Sequence, residues 1–425
     1  MDSADRSGEP APGHPIRKVR ALAVLIVAYR SVDRLEACIR SVETHLPGHD
    51  VHVWDNSGPG FTDVRRLASR VTGPNWYLGS ENIGFAAAVN RLAAMVPDQD
   101  FLLLNPDAIL TTPLTLTRAA LNEPLNAAAA PMTSCSGAGG RPALLSRDQL
   151  PWDVAHRRLT PLNALGGPIG VSQRLRGTAL SDLYRKQPTD VQGYLTGACL
   201  AISRQAWDSL GCFDEEFYLY GEEADWQRRA IESGWRVRLA NEVAVVHSAN
   251  GTVAGDPVAR SRSDDLLRAS VALQLEYRYG RRSAECYLAI VSLSEGIKRF
   301  LRSRSRTATA PGVLLTVDGG CDSAMVAERI SIASALARNG FAVTVMSLQP
   351  LGALPIALPA SIRLLRRPWW WPSSLPEKTP TILIPGMTQR EKAFARLFNL
   401  QRRRTLLTTR ASVDDLLRTS PVGST

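Results

Sequence analysis

The sequence predicts an α/β protein: a doubly wound, mostly parallel sheet followed by a second, smaller α/β unit. Three observations carry this. Short continuous apolar runs such as Leu22–Val27 and Phe101–Leu104 read as strands buried on both faces, the pattern of a parallel sheet covered by helices. Segments with helical spacing separate those runs, and strand–helix–strand alternation marks βαβ units. After a basic, Ser-rich stretch near residue 300 the alternation begins again.

Taken in order, residues 1–18 carry Gly, Pro, Ser and charge without periodicity and read as a disordered leader. Leu22–Val27 is the first strand. Asp33 to Val42 is a helix, with Leu35, Ile39 and Val42 on one side. Val51–Trp54 is the second strand, and it ends at Asp55-Asn56-Ser57-Gly58, residues that favour turns. An Ala-rich helix runs from Phe85 to Met95. Phe101–Leu104 is a third buried strand, stopped by Asn105-Pro106-Asp107. Residues 134–190 scatter Gly, Pro and Arg and read as a long loop or lid. Gly197–Ile202 is a strand, Glu222 to Ser233 a helix of mixed charge, and Val243–Val246 a strand closed by His247. From Asp264 to Leu301 the apolar spacing is helical, broken near Gly280 and Gly296. In the second alternation, Val313–Val317 leads through Gly319-Gly320 to an amphipathic helix, Ser323–Arg338, with Gly340 as its stop. Phe341–Met346 is the next strand, and Thr381–Gly386 is a further strand candidate. The chain therefore divides into a leader at 1–18, a main domain at 19–262, a helical extension at 263–301, a basic linker at 302–311 and a Rossmann-like unit at 312–425.

Composition narrows the function. With 425 residues, 44% hydrophobic and 21% charged, the chain can bury ordinary cores, which excludes wholesale disorder and a small disulfide scaffold. The net charge of +10 is uneven. Residues 1–295 hold 31 Lys and Arg against 33 Asp and Glu, a balance of −2, whereas residues 296–425 hold 19 against 7, a balance of +12. A basic C-terminal third attracts anionic partners, and each Lys or Arg beside an anionic leaflet adds about 1 kcal/mol. A peripheral contact with an anionic membrane is one consequence. No nucleic-acid motif accompanies the charge, so no nucleic acid is expected. The six cysteines, at 38, 135, 199, 212, 286 and 321, show no metal-ligand spacing and suit a reducing compartment. Neither a signal core nor a run of about 20 apolar residues occurs, so the expected location is cytoplasmic, with contact at most at the inner face of the membrane.

Ligands of doubly wound sheets sit past the carboxyl ends of strands. Three polar groups lie there: Tyr29-Arg30, Asp55-Asn56 and Asn105-Pro106-Asp107. Asp107 either belongs to an ordinary turn or is one carboxylate of a Mg²⁺ or Mn²⁺ site that grips substrate phosphates. Glu222, Glu223 and Asp225 either favour a helix dipole or form a cluster whose members raise one another's proton affinity, as a general base requires. His247 is either a satisfied polar residue or a ligand, and Asp55 and Asn82 read equally as turn formers.

Order and spacing together resemble family 2 glycosyltransferases, in their rhamnosyltransferase-like branch, over about residues 21–301. The motifs are Val27-Ala28-Tyr29-Arg30, Asp55-Asn56-Ser57, Asn82-Ile83-Gly84-Phe85-Ala86 with Asn90, Leu103-Leu104-Asn105-Pro106-Asp107, Gly197-Ala198-Cys199-Leu200 with Arg204, Cys212-Phe213-Asp214-Glu215 running on to Tyr218-Leu219-Tyr220-Gly221-Glu222-Glu223-Ala224-Asp225-Trp226, and the late His247. The resemblance implies a GT-A-type fold and an inverting sugar transfer that uses a divalent metal, Mn or Mg. The implied donor is a nucleoside-diphosphate sugar, with dTDP-rhamnose suggested by the branch. The implied acceptor is a glycan or a lipid-linked glycan of the cell envelope. Position by position, Ala28, Tyr29, Arg30, Asp55, Asn82, Gly84 and Asn105 would line the donor site, and Asp107 and His247 would hold the metal. Glu223 would be the base, with Glu222 and Asp225 supporting the acceptor. Three positions depart from the family pattern: Glu223 stands where Asp is usual, Trp226 where Leu is usual and Arg30 where Asn is usual.

Residues 311–425 resemble, more generically, the N-terminal half of a GT-B glycosyltransferase. Within that segment Trp369-Trp370-Trp371 beside Arg366 and Arg367 reads as a membrane-interface or glycan-contacting loop, or as a loop packed on its own domain. Arg402-Arg403-Arg404 reads as a contact for acidic lipid or nucleic acid, or as a solvated helix end. The alternative to an enzyme is a catalytically inactive glycosyltransferase-fold scaffold or glycan-binding protein.

Overall fold

A computed structural model describes residues 20–30, 32–58, 60–134, 153–247, 257–302, 312–319, 323–352, 354–359, 361–371 and 381–401, with positions 413, 415, 416 and 418. The expected leader, most of the expected basic linker and the 402–404 arginines lie outside the described residues.

The first unit runs β1 (Leu22–Ala28), α1 (Val32–His45), β2 (Val51–Asp55), α2 (Asp63–Ala68), β3 (Asn75–Leu78), α3 (Phe85–Ala94), β4 (Asp100–Leu104), β5 (Ala108–Leu110), α4 (Thr115–Asn122) and β6 (Asn126–Ser134). It continues through β7 (Ala155–Arg157), α5 (Gly166–Ile169), β8 (Gly193–Leu195), β9 (Cys199–Ile202), α6 (Arg204–Leu210), α7 (Glu222–Glu232) and β10 (Arg236–His247). Among the described residues the main sheet has eight strands in the order β3-β2-β1-β4-β9-β6-β10-β5. β9 runs antiparallel to β4 and β6, and β5 runs antiparallel to β10. The remaining pairs are parallel. The doubly wound, mostly parallel sheet read from the apolar runs is therefore present.

β1 explains the layering. All seven of its residues are buried. Ala23, Leu25 and Val27 face one core with Ala86, Val89 and Leu92 of α3. Leu22, Val24, Ile26 and Ala28 face the other, with Leu35, Ile39 and Val42 of α1. Alternate side chains leave opposite faces of a strand, so a continuous apolar run demands helices on both sides.

Some elements carry no clear signal in the sequence, and others differ from the expectation. Residues 126–134 form a fully buried central strand, although four consecutive alanines favour a helix and Pro131 usually demotes a strand. The proline is tolerated because it sits at an irregularity. β10 pairs Leu239 with Ala130 and then Val243 with Met132, skipping the ladder position that Pro131 cannot serve. The expected 243–246 strand is the end of the twelve-residue β10. Of the expected 134–190 loop or lid, residues 135–152 lie outside the described residues, and 153–190 carry β7, which pairs with β8, and α5.

Two long helices follow, α8 (Pro257–Tyr279) and α9 (Arg281–Arg302). Gly280, at φ +79°, breaks them apart as expected. Gly296 does not break α9, since a single glycine costs a packed helix only about 1 kcal/mol. The second unit comprises β11 (Gly312–Val317), α10 (Ser323–Arg338), β12 (Ala342–Ser347), α11 (Leu354–Ala357), β13 (Arg363–Arg366), β14 (Thr381–Ile384) and α12 (Gln389–Gln401). Its separate sheet is wholly parallel, in the order β13-β12-β11-β14. Val313, Leu315 and Val317 pack on α10, whereas Leu314 packs with Phe394 and Phe398 of α12.

The second unit is seated on α8 and α9 by charge. Arg363 pairs with Asp265 at 2.7 Å, Arg366 pairs with Glu276, and Arg367 bonds Glu295 at 3.3 Å. Arg366 and Arg367 are buried. Arg268 joins this network at 3.0 Å from Asp265 and 2.6 Å from Glu295, so those two carboxylates are shared between arginines. The arginines of the Trp-Arg segment are therefore packed against α8 and α9, whereas Trp370 stays exposed. Trp369 lies against the core that holds Leu314 and Phe394, and Trp370 Nε1 donates to Glu285 at 2.8 Å.

Candidate functional site

The carboxyl ends of β1, β2, β4 and β10 point to the same edge of the main sheet, and the turns that leave them are tied together. The Asn56 amide N–H donates to Ala28 O at 2.8 Å. Its side chain donates to Gly84 O at 3.2 Å and accepts from Ile83 N–H at 2.9 Å. Asp55, buried at the end of β2, accepts from Ser57 N–H at 3.0 Å, and Asn82 accepts from Gly84 N–H at 3.0 Å. Gly84 has φ +87°, and a Cβ there would lie 2.8 Å from the Tyr218 ring, so only glycine fits. Phe85 N–H then donates to Tyr218 O at 2.8 Å, which stitches the 82–85 turn to the loop before α7.

Arg30 occupies the left-handed region at φ +52°, a conformation that asparagine tolerates better than arginine. Ser57 holds it there. Arg30 N–H donates to Ser57 Oγ at 3.1 Å and its Nε donates to Ser57 O at 3.2 Å, while the guanidinium lies 5.2 Å from the Tyr29 ring centroid. An open groove of about 810 Å³ runs alongside, lined by Arg30, Phe61, Arg66 and Arg70 among others.

Asp107 leaves β4 through the Asn105-Pro106-Asp107 turn, closed by Ala108 N–H donating to Asn105 O at 3.0 Å. The antiparallel β5–β10 pair sets Ala108 opposite His247. His247 Nε2 therefore lies 3.1 Å from Asp107 Oδ1, although 140 residues separate them. Arg34, one turn into α1, brings Nη1 to 4.0 Å from Asp107 Oδ2, and that buried nitrogen makes no hydrogen bond. One carboxylate oxygen and one imidazole nitrogen form a donor pair that suits Mn²⁺ or Mg²⁺, with the other coordination positions left to phosphate oxygens and water. No group of three or more Asp, Glu, His or Cys side chains suited to a metal occurs among the described residues.

The 214–221 loop delivers the second half of the site. Tyr220 and Gly221 both have positive φ, +70° and +90°, and this turn starts α7 with Glu222 and Glu223 in its first turn. Tyr220 is strained there, a condition that persists only where surroundings enforce it. Glu223 Oε2 accepts from Gly221 N–H at 3.1 Å. Its side chain lies beside Gly197, next to Ala198, whose carbonyl accepts from Asn105 N–H at 3.0 Å. Glu223 is thus linked, through Gly197 and Ala198, to the turn that carries Asp107. Glu222 is buried, and its Oε2 has no hydrogen-bond partner. Burial pushes both carboxyls above the ordinary glutamate range, and the charge of Glu223 pushes Glu222 further. Tyr218 is pushed up to about 12, mainly by burial.

Other motif residues hold the frame. Both Asp225 oxygens are occupied, by Arg228 at 2.7 Å and Arg229 at 3.1 Å. Arg204 is buried and donates to Ala93 O and Val96 O, capping α3. Asn90 ties α3 to Phe213 and Glu215. Trp226 is fully buried against Trp207, with Nε1 donating to Gly211 O at 2.9 Å, so the departure from leucine fills core. Sequence reasoning missed Arg34, whose only signal was its place at the start of a helix after a strand end. It also missed the packing of Tyr218 on Gly84.

No protein-family model matches the chain. Over 67 residues it is 31% identical to an N-acetylglucosaminyl-diphospho-decaprenol L-rhamnosyltransferase of Mycobacterium tuberculosis, covering 16% of this chain and 22% of that relative. The match thus spans about a fifth of the mycobacterial protein. Over 265 residues it is 23% identical to the low-salt glycan biosynthesis hexosyltransferase Agl10 of Haloferax volcanii, covering 60% of this chain and 73% of the relative. Among solved structures, the mannosyltransferase PcManGT of Pyrobaculum calidifontis, in complex with GDP-Man and Mn²⁺, overlaps at TM-score 0.41 and 14% identity, over 71% of this chain and 80% of that one. TarS of S. aureus, residues 1–349, overlaps at TM-score 0.34 and 12% identity, over 73% and 78%. Overlaps this loose assign neither fold nor function. In sequence, the chain is similar to glycosyltransferases.

Proposed function

We propose that the chain is an inverting glycosyltransferase that moves a sugar from a nucleoside diphosphate to a glycan or lipid-linked acceptor during synthesis of a cell-envelope glycan. The observation that carries the reading is the meeting of Asp107 and His247 at 3.1 Å across 140 residues of sequence, with Arg34 beside them and Glu223 joined to the Asp107 turn through Gly197 and Ala198. The mycobacterial relative's name, an L-rhamnosyltransferase acting on an N-acetylglucosaminyl-diphospho-decaprenol, supports a lipid-linked acceptor and L-rhamnose as the sugar moved.

In this reading Tyr29, Asp55 and the Asn56–Gly84 turn take the nucleoside end, with Arg30 beside them. Asp107 and His247 would hold a divalent cation, which when bound neutralises the charge that develops on the leaving diphosphate. Arg34 adds a fixed positive charge on the same side. Glu223 accepts the proton of the acceptor hydroxyl as that oxygen attacks the anomeric carbon, opposite the departing diphosphate. The carbon–oxygen bond to the donor breaks as the new one forms, and a single displacement inverts configuration. Glu222, with one oxygen free of partners, orients the acceptor by accepting a second hydroxyl.

The test is a screen of nucleotide sugars against polyprenyl-diphosphate glycans with Mn²⁺ or Mg²⁺, with the product's anomeric configuration read by NMR. Transfer with inversion, lost in Glu223→Gln, is expected. A product of retained configuration, or full turnover by Glu223→Gln, overturns the mechanism.

A further inference from the structure

One helix touches both the loop that carries the candidate acceptor side and the C-terminal sheet unit. Along α8, Ser263 Oγ lies 2.7 Å from Tyr220 Oη, Ser270 Oγ donates to Leu219 O at 3.0 Å, and Tyr277 Oη donates to Asp214 Oδ2 at 2.9 Å. The Gln274 amide lies over Gly221, which holds φ +90°. Positions 263, 270, 274 and 277 form one stripe of a helix with 3.6 residues per turn. Roughly a third of a turn away lie Arg262, Asp265 and Glu276, and these face the C-terminal unit. Arg262 is buried. Its Nη1 donates to Pro359 O at 2.6 Å and Ile362 O at 2.8 Å, and its Nη2 donates to Pro355 O at 3.1 Å and Leu358 O at 3.3 Å. Asp265 receives Arg363, and Glu276 receives Arg366.

We propose that the C-terminal unit buttresses the acceptor side of the site through α8, and that Arg262 is the positioning residue of that linkage. Its guanidinium closes the turn that follows α11 and fixes the side of α8 opposite the second unit. The neighbouring Ser263 then grips Tyr220, a residue that holds positive φ without being glycine. The strained Tyr220-Gly221 turn in turn aims Glu222 and Glu223. The basic C-terminal third accordingly spends Arg363, Arg366 and Arg367 on carboxylates of α8 and α9 rather than on an external anion. The role assigned to Arg262 in transfer rests on the reading of Glu222 and Glu223 given above. The mechanical coupling does not.

The experiment uses the full chain with Arg262→Met and, separately, Arg363→Met, which lies on the second unit and is the milder change should Arg262→Met fail to fold. Backbone hydrogen exchange is followed at 214–221 and at 355–366, together with kcat and with affinity for a nucleoside diphosphate plus Mn²⁺. Expected is faster exchange in both segments and a fall in kcat of roughly tenfold to a hundredfold, the scale of a small misplacement of a reacting group, with diphosphate affinity unchanged. Faster exchange at 355–366 alone, with 214–221 protected as in the parent, overturns the coupling. Loosening of 214–221 with kcat intact overturns the positioning role. If the parent transfers no sugar, the exchange arm still decides the coupling, and the failure belongs to the functional reading.

Discussion

His247 Nε2 stands 3.1 Å from Asp107 Oδ1 because β5 folds back antiparallel on β10 and sets Ala108 opposite His247. A three-residue strand, β5, thereby turns two unremarkable strand-end residues into a donor pair at the edge where the sheet's other polar turns collect.

Replacing either partner should abolish metal-supported transfer while leaving the fold intact. Asp107→Ala and His247→Ala are each expected to lower kcat by orders of magnitude, since the diphosphate would leave without its counter-charge. Titration with Mn²⁺, followed by the rise in thermal stability that binding confers, checks the assignment. A parent-like titration in both variants would refute it.

Arg34→Ala should weaken nucleoside-diphosphate binding about tenfold or more and leave the pH profile unchanged, because the residue supplies charge and moves no proton. Calorimetric titration with the diphosphate measures this. Arg34→Lys should recover part of the loss.

The acidic limb of kcat/KM is expected above the ordinary glutamate range. Glu223 must be ionised to accept a proton, and its burial raises the pH at which it ionises, so activity falls as pH drops through that raised value. In Glu223→Gln the limb should vanish along with most of the rate. An unchanged limb on the residual activity would assign it to another group.

Glu222 makes the opposite demand on stability. Its native-state proton affinity exceeds that of the unfolded chain, so between the two values the folded form holds a proton that the unfolded form has lost. Stability from this group is present at low pH and declines as pH rises through the folded value. Glu222→Gln should flatten that decline and raise Tm at alkaline pH while lowering transfer. Thermal unfolding across a pH series decides, and a steeper alkaline decline in the variant would count against the assignment.

The sheet's core strands were legible because burial on both faces leaves an unmistakable trace: β1 and β4 are apolar at every position that must face a helix layer. The turn residues Asp55, Asn105 and Gly84 were legible for a local reason, since each satisfies backbone geometry within a few residues. β6 was not legible. Its alanines and Pro131 carry the wrong local preference, and only its place between β9 and β10 makes it a strand. Nor could composition separate the arginines: Arg363, Arg366 and Arg367 count as surface charge in a sequence and end as ion-pair partners of α8 and α9.

The amino-acid order by itself determined the two α/β units, the strand ends where polar residues collect, and the candidate residues of the site. The tertiary structure alone decided that Asp107 meets His247, that Asp225 is consumed by Arg228 and Arg229, that Arg34 enters, and that α8 joins the C-terminal unit to the Tyr220 loop. The reason is physical. Periodicity and turn chemistry act over a few residues and are written in neighbours, whereas the partner of a charge is chosen by strand register and helix docking, which only the folded chain supplies.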